Sequence, residues 1–422
     1  MNDVDFQARR QFESLERDDL SQLQLQKLNA MLAEILPTNE FYAEKLADVG
    51  LPMQSLDDLS KLSFTTKSEL QSGGDFAANR TYPLEQYVRF HRTSGTHGKP
   101  MIVVDTQEDW DRWTETWQYV LDAAHVTDRD RAFMAFSFGP FIGFWSANDA
   151  LVARGTMVVP AGGLSTLARL ELLRSSEATV MCSTPSYALR MAEVARENEI
   201  DVAKSTVSRI IVAGEPGGSI PSIRKRIENA WDARVVDHSG ASEVGPWGYA
   251  DADDQGLHIV ETDFIPEFIS IDTGEPATDG ELSELILTTL NRYGLPVIRY
   301  RTGDLVRPTW RSEGNRFVFL DGGVLGRTDD MLVIRGVNVF PSSIEQIICN
   351  FAEVAEYRIT ASKHGEMDAL AVEVEDQLED PDRVAKELNV RLGLNVDVVC
   401  VPMGSLPRFE GKGKRFVDTP RT

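Results

Sequence analysis

The stretch from Gly326 to Glu345 constrains this chain more than any other. Gly326 opens a polar turn holding the adjacent carboxylates Asp329 and Asp330, and the apolar run Met331 to Ile334 then reads as a short strand. Gly336 permits a sharp reversal into a second short run, Val337 to Phe340. Pro341, Ser342, Ser343 and Glu345 read as a helix start, because proline suits a first helical turn and serine hydroxyls satisfy its orphan amides. Taken alone the stretch also fits a plain hairpin and helix with a solvated Asp pair. Between a large body and a small closing unit, such a polar turn is where a hinge would sit.

The chain has 422 residues, enough for two or three domains, and 42% hydrophobic with 26% charged residues is ordinary for a soluble globular protein. Acidic residues outnumber basic ones by 66 to 43, a formal charge of -23, so nucleic acid and anionic membrane are poor partners. Any nucleotide must be held by local groups. Cys182, Cys349 and Cys400 lie far apart, without zinc spacing, and read as reduced residues of a cytoplasmic protein. Met1 to Asp18 is polar and acidic, unlike a signal peptide, and the apolar run Phe133 to Ala147 is too short to span a bilayer.

Leu23, Leu25, Leu28, Leu32, Ile35 and Leu36 give Phe6 to Leu46 a helical pattern that Pro37 and Thr38 end. Farther on, strand-like runs at Arg131 to Phe136, Thr156 to Val159, Val180 to Ser183 and Arg209 to Ala213 alternate with helical runs at Ser165 to Ser175 and Ser186 to Glu199. That alternation predicts an α/β core with parallel strands. Val235 to Ile271 reads as loop-rich, Leu282 to Leu290 and Pro296 to Tyr300 as later strands, and the residues after Asp329 as a small α/β lobe.

Four segments offer chemistry. Arg92 to Pro100 follows a strand-like run: Gly95 and Gly98 allow close approach to phosphate, Ser94 and Thr96 add donors, and Lys99 a compact charge. By itself this serves equally as an ordinary Gly/Thr turn. Asp304, after Gly303, is suited to accept hydrogen bonds from ribose hydroxyls, or is a solvated turn aspartate. Asp237 to Glu243 is rich in Ser, Gly and carboxylate. Near the end, Gly411-Lys412-Gly413-Lys414-Arg415 makes a basic tail, usually a solvated one. No GxSxG elbow, HExxH helix or GxGxxG turn is present, and Asp251, Asp253 and Asp254 read as a solvated loop rather than a metal site.

Together these segments resemble the adenylate-forming superfamily, which joins acyl-CoA synthetases, luciferases and the adenylation domains of peptide synthetases. The wording Asp329 to Glu345 is most similar to that of phenylacetate-CoA ligases and related aryl-CoA ligases. The resemblance, from about Tyr87 to Arg415, implies an α/β fold with a large multi-sheet domain, 1–328, and a small mobile domain, 329–422, hinged at Asp329. It implies that Ser94, Gly95, Thr96, Gly98 and Lys99 hold phosphate, Asp304 and Arg327 contact the nucleotide, and Gly214, Glu215 and Pro216 form a nucleotide-side loop. It further implies that Asp237, Ser239, Gly240 and Ser242 bind adenine and AMP phosphate, Glu243 assists Mg²⁺, Lys412 serves adenylation and Gly336 the second step. ATP, Mg²⁺, coenzyme A and a small carboxylic acid follow as ligands, and relatives are often dimeric.

Three departures stand out: His97 where many relatives have Thr or Ser, Ser239 where an aromatic residue commonly stacks on adenine, and Gly217 where a tryptophan often follows the proline. Phe136, Phe138, Phe141, Phe144 and Trp145 are candidates to wall a flat aromatic acid, or simply core. The expectation is an acid-thiol ligase. An adenylating enzyme serving a carrier protein or a cofactor hydroxyl, and a non-catalytic nucleotide-binding relative, remain as alternatives.

Overall fold

The computed structural model describes residues 3–93, 100–136, 138–251, 255–330, 332–334, 337–351, 353–364, 367–408 and 415–418. Its centre is a nine-stranded sheet that is parallel on one side and antiparallel on the other. Strands Met157–Pro160, Arg131–Met134, Val180–Ser183, Arg209–Val212 and Arg234–Ala241 run parallel. From Arg234–Ala241 the order continues antiparallel through Gly245–Tyr249, Gly256–Ile259, Phe319–Asp321 and Pro308–Thr309.

Alternate side chains of the parallel strands feed two cores, as the two-residue period requires. Phe133, Met181, Ile210 and Val235 meet the helices Thr166–Ser175, Pro185–Glu197 and Pro221–Trp231, where Tyr187, Met191, Ile227 and Trp231 are buried. Ala132, Met134, Val180, Cys182, Ile211 and Val236 face the opposite way, toward Trp117 and Leu121 of helix Gln107–Ala123 and Leu151 of helix Gly143–Ala153. Proline opens Pro185–Glu197 and Pro221–Trp231, and Thr184 caps the former through the Tyr187 amide.

A four-stranded antiparallel sheet, Phe264–Ser270, Ser283–Thr289, Tyr300–Val306 and Gly326–Arg327, lies beside the central one. Helix Arg17–Ile35 packs on this part through Leu28, Met31, Leu32 and Ile35, against Ile265, Leu290 and Ile298. The residues from Leu332 onward build a core of their own. There the antiparallel strands Val354–His364 and Met367–Asp376 carry helices Pro341–Ile348 and Pro381–Leu392 on a hydrophobic cluster centred on Ile344, Ile359, Val372 and Leu388. Among the described residues no helix is long and apolar enough to cross a membrane.

Two expectations are corrected. Val235 to Ile271 is not loop-rich but holds four strands; Gly245–Tyr249 and Gly256–Ile259 are buried throughout, so they lack the alternation that marks a half-exposed strand. The apolar run Pro296 to Ile298 is a buried turn rather than a strand, because the Ile298 amide donates to the Tyr42 hydroxyl at 2.9 Å and the strand begins only at Tyr300.

Since the small lobe has a separate core, Ile359→Ala, at a fully buried position, should cost that lobe about 2–4 kcal/mol. Calorimetry should then show one transition moving down while that of the large body stays; a single transition shifting as a whole would contradict independent cores.

Candidate active site

Strand Arg234–Ala241 is the switch point of the central sheet, with a parallel neighbour on one side and an antiparallel one on the other. Crevices at such points, beyond the carboxyl ends of strands, are where open α/β sheets bind ligands. Here a cleft of about 2200 Å³ opens, lined by Gly214, Glu215, Pro216, Asp237, Ser239, Gly240, Ser242, Glu243, Asp304, Arg327 and Asp329, and closed on one side by Glu345, Arg408 and Arg415 of the small lobe. The described candidates thus converge on one cavity.

Each is held in a definite way. Gly214 has φ +92°, and the Glu215 carboxylate beyond it accepts the Ser186 amide at 2.7 Å, at the start of helix Pro185–Glu197. A Cβ on Gly217 would lie 2.5 Å from Pro185 Cβ, so the missing tryptophan is a packing demand of this helix start. Asp237 is buried, accepting from Ser219 Oγ at 2.5 Å and from the His238 amide at 3.1 Å, and burial pushes its carboxyl up to about 6. A Cβ on Gly218 would fall 2.4 Å from Asp237, which explains that glycine as well. The His238 ring is turned inward, its Nδ1 2.7 Å from the Gly248 carbonyl oxygen and its centroid 4.2 Å from that of Trp117. It does not supply the ring that Ser239 lacks.

Asp304 and Arg327 are ladder partners in adjacent strands. Arg327 donates from Nη1 to Asp304 at 3.0 Å and from Nε to Asp329 at 3.0 Å, and these carboxylates raise its pKa against the opposing effect of burial. One guanidinium therefore ties the ribose candidate to the hinge candidate. Arg415 is clamped by Glu356, 2.5 Å from Nε, and Arg408 by Glu375, 2.7 Å from Nη2.

Ser94, Gly95, Thr96, Gly98, Lys99, Gly336 and Lys412 lie outside the described residues. The ends of the first segment are nonetheless fixed. Thr93 and Met101 exchange hydrogen bonds, amide to carbonyl and amide to Oγ1, both at 3.0 Å, closing a hairpin of strands Tyr87–Arg92 and Ile102–Thr106.

Sequence reasoning missed Lys67 and Trp113. Lys67, first residue of the short helix Lys67–Leu70, places Nζ 2.9 Å from Glu243 Oε1. Trp113 lines the cleft with Phe136, Phe138, Phe141, Ile142 and Trp145, its ring 3.0 Å from where a Cβ of Gly245 would stand. Phe138 packs against Trp145 at 4.7 Å and Phe136 at 5.7 Å, so one wall is an aromatic slot. The Phe144 side chain is not among those described. Among the described residues no three His, Cys, Asp or Glu side chains gather to hold a metal, which leaves Glu243 as a single carboxylate for a cation shared with a ligand.

Comparison with known proteins gives a uniform result. Residues 42–275 match the AMP-binding enzyme family, and residues 336–420 match the AMP-binding enzyme C-terminal domain. Phenylacetate-coenzyme A ligase of Escherichia coli is 34% identical, with 95% of each chain covered. The ligase of the same name from Thermus thermophilus is 31% identical, covering 97% of this chain and 98% of that protein. Among solved structures, 2-hydroxyisobutyryl-CoA ligase in the postadenylation state, in complex with 2-HIB-AMP, superposes with a TM-score of 0.90 at 23% identity, over 97% of this chain and 91% of that one. In its thioesterification state with 2-HIB-AMP and CoA, the same enzyme gives 0.72 at 24% identity, over 96% and 91%.

Glu345 yields a pH prediction for the seam between the lobes. Burial pushes its carboxyl up to about 7, with Glu215 and Glu356 adding to the rise and Arg415 and the Tyr357 hydroxyl opposing it. A raised carboxyl favours the closed seam below its pKa, so that contribution is lost as pH rises through about 7. Small-angle scattering should show the lobes separating as pH rises from about 4.5 through about 7 in the parent but not in Glu345→Gln; equal behaviour of both would sink the assignment.

Proposed function

The chain belongs to the AMP-binding enzyme family, and from that premise we propose that it is an ATP-dependent carboxylate–CoA ligase for an aryl or arylacetic acid. The observation that carries the reading is the meeting, in one cleft, of Asp304 and Arg327, the Asp237 to Glu243 strand end, and an aromatic slot. The names of the relatives, all phenylacetate-coenzyme A ligases among those above 30% identity, support the acid.

A carboxylate is a poor acyl donor until one of its oxygens becomes part of a leaving group. Its oxygen attacks the α-phosphorus of ATP, pyrophosphate departs, and the CoA thiolate then attacks the acyl carbon and expels AMP. In this reading Asp304 takes the ribose hydroxyls, Ser239, Gly240 and Ser242 border the adenine and its phosphate, and Ser94 to Lys99 hold the outer phosphates. Lys412 offsets the charge growing between acid and α-phosphate. In sequence it stands three residues before the clamped Arg415.

Mg²⁺ would be held by Glu243, its other ligands being phosphate oxygens and water. The donor set fits, because this carboxylate already takes a cationic partner in Lys67 at 2.9 Å. When bound, the ion spreads the negative charge of the departing pyrophosphate. Rotation of the 329–422 lobe about Asp329 would exchange Lys412 for the Gly336 loop between the two steps; the scores of 0.90 and 0.72 against two states of one neighbour support such a rearrangement. The three cysteines, free and buried or half-buried, support a reducing, cytoplasmic setting.

The test is exchange of pyrophosphate into ATP across a panel of aryl and alkyl acids, with arylacetic acids expected to be active; no exchange with any acid would refute adenylation. Lys412→Ala should abolish that exchange while a supplied acyl-adenylate is still converted to thioester by free CoA, whereas equal loss of both steps would remove the lysine from its role. Asp329→Pro should spare the first step more than the second.

A further inference from the structure

Arg292 lies in the turn between strands Ser283–Thr289 and Tyr300–Val306 and is 1% exposed. Its guanidinium is divided among three parts of the cleft. Nε donates to Asp105 Oδ1 at 2.8 Å, and Nη2 lies 2.7 Å from the same oxygen. Nη1 donates to the carbonyl oxygens of Ser242 at 3.0 Å and Glu243 at 2.8 Å. The face of the group lies 4.6 Å above the Trp113 ring, which lines the acyl slot. The turn itself is fixed, since the amides of Tyr293 and Gly294 donate to Asp109 at 2.7 and 2.9 Å.

Only a planar fork with several donors can serve a carboxylate on one edge, two carbonyls on the other and a ring on its face. We propose that Arg292 is a positioning residue for adenylation: it holds the Ser242–Glu243 backbone so that the Glu243 carboxylate meets Mg·ATP, and it links that backbone to the Trp113 wall of the acyl slot. This rests on the reading of the cleft given above. Asp105, fully buried in the strand that follows the Gly95 hairpin loop, keeps the guanidinium from turning away.

The test compares the parent with Arg292→Lys and with the double variant Asp105→Leu/Arg292→Met, using the whole chain. Replacing a buried ion pair with apolar side chains often leaves stability intact, so the double variant removes the carbonyl clamp without stranding a charge. The lysine variant keeps Asp105 paired but cannot serve two carbonyls as well. Calorimetric titration with ATP, once with Mg²⁺ and once with EDTA, gives the enhancement that metal confers. Loss of about one charge-assisted hydrogen bond should lower that enhancement about tenfold in both variants, with metal-free ATP affinity moving less than about twofold. The adenylation kcat should fall more than the KM for the acid changes. Parental enhancement in either folded variant overturns the proposal, as does an equal loss of affinity with and without metal. A parent that binds no ATP at all overturns the ligase reading together with it.

Discussion

The structure depends on one change of strand direction. Arg234–Ala241 pairs in parallel with Arg209–Val212 and antiparallel with Gly245–Tyr249, so two kinds of sheet share one strand. Parallel pairing requires helices across the faces, which buries the strand, while antiparallel pairing lets the chain turn back at once after Glu243. The end of that strand has helix starts on one side and a tight return on the other. Asp237 is buried within it and Glu243 follows its end, and the Glu215 loop, the Asp304 strand and the aromatic slot line the same cleft.

Charge is managed locally. The whole chain carries -23, yet several cations around the cleft are held by carboxylates: Arg327 by Asp304 and Asp329, Arg415 by Glu356, Arg408 by Glu375, Lys67 by Glu243. Such pairs keep cations in place on a chain whose overall field is negative. They also keep the side chains ordered before a ligand arrives, so less rotamer freedom remains to be lost on binding.

Elements with a strong local pattern were legible. Val180–Ser183 occurs at the bounds its apolar run indicated, whereas the pairing of Asp304 with Arg327 across a ladder appears only in the fold. The strands between Val235 and Ile271 were not, because a strand enclosed on both faces has no polar alternation, and the glycines there serve close packing rather than turns. Lys67 and Arg292 were invisible for another reason: their partners are distant in sequence, Asp105 standing 187 positions from Arg292. A turn arginine reads as solvated until the fold shows what surrounds it. Gly217 shows the reverse, since a Cβ there would meet Pro185 and Ile223.

The mutual hydrogen bonds of Thr93 and Met101 have a thermodynamic corollary. The hairpin closes its own ring during folding, so the entropy of bringing the two ends together is spent within the folding of the strands themselves. Changes at Thr93, which closes it, accordingly register in folding.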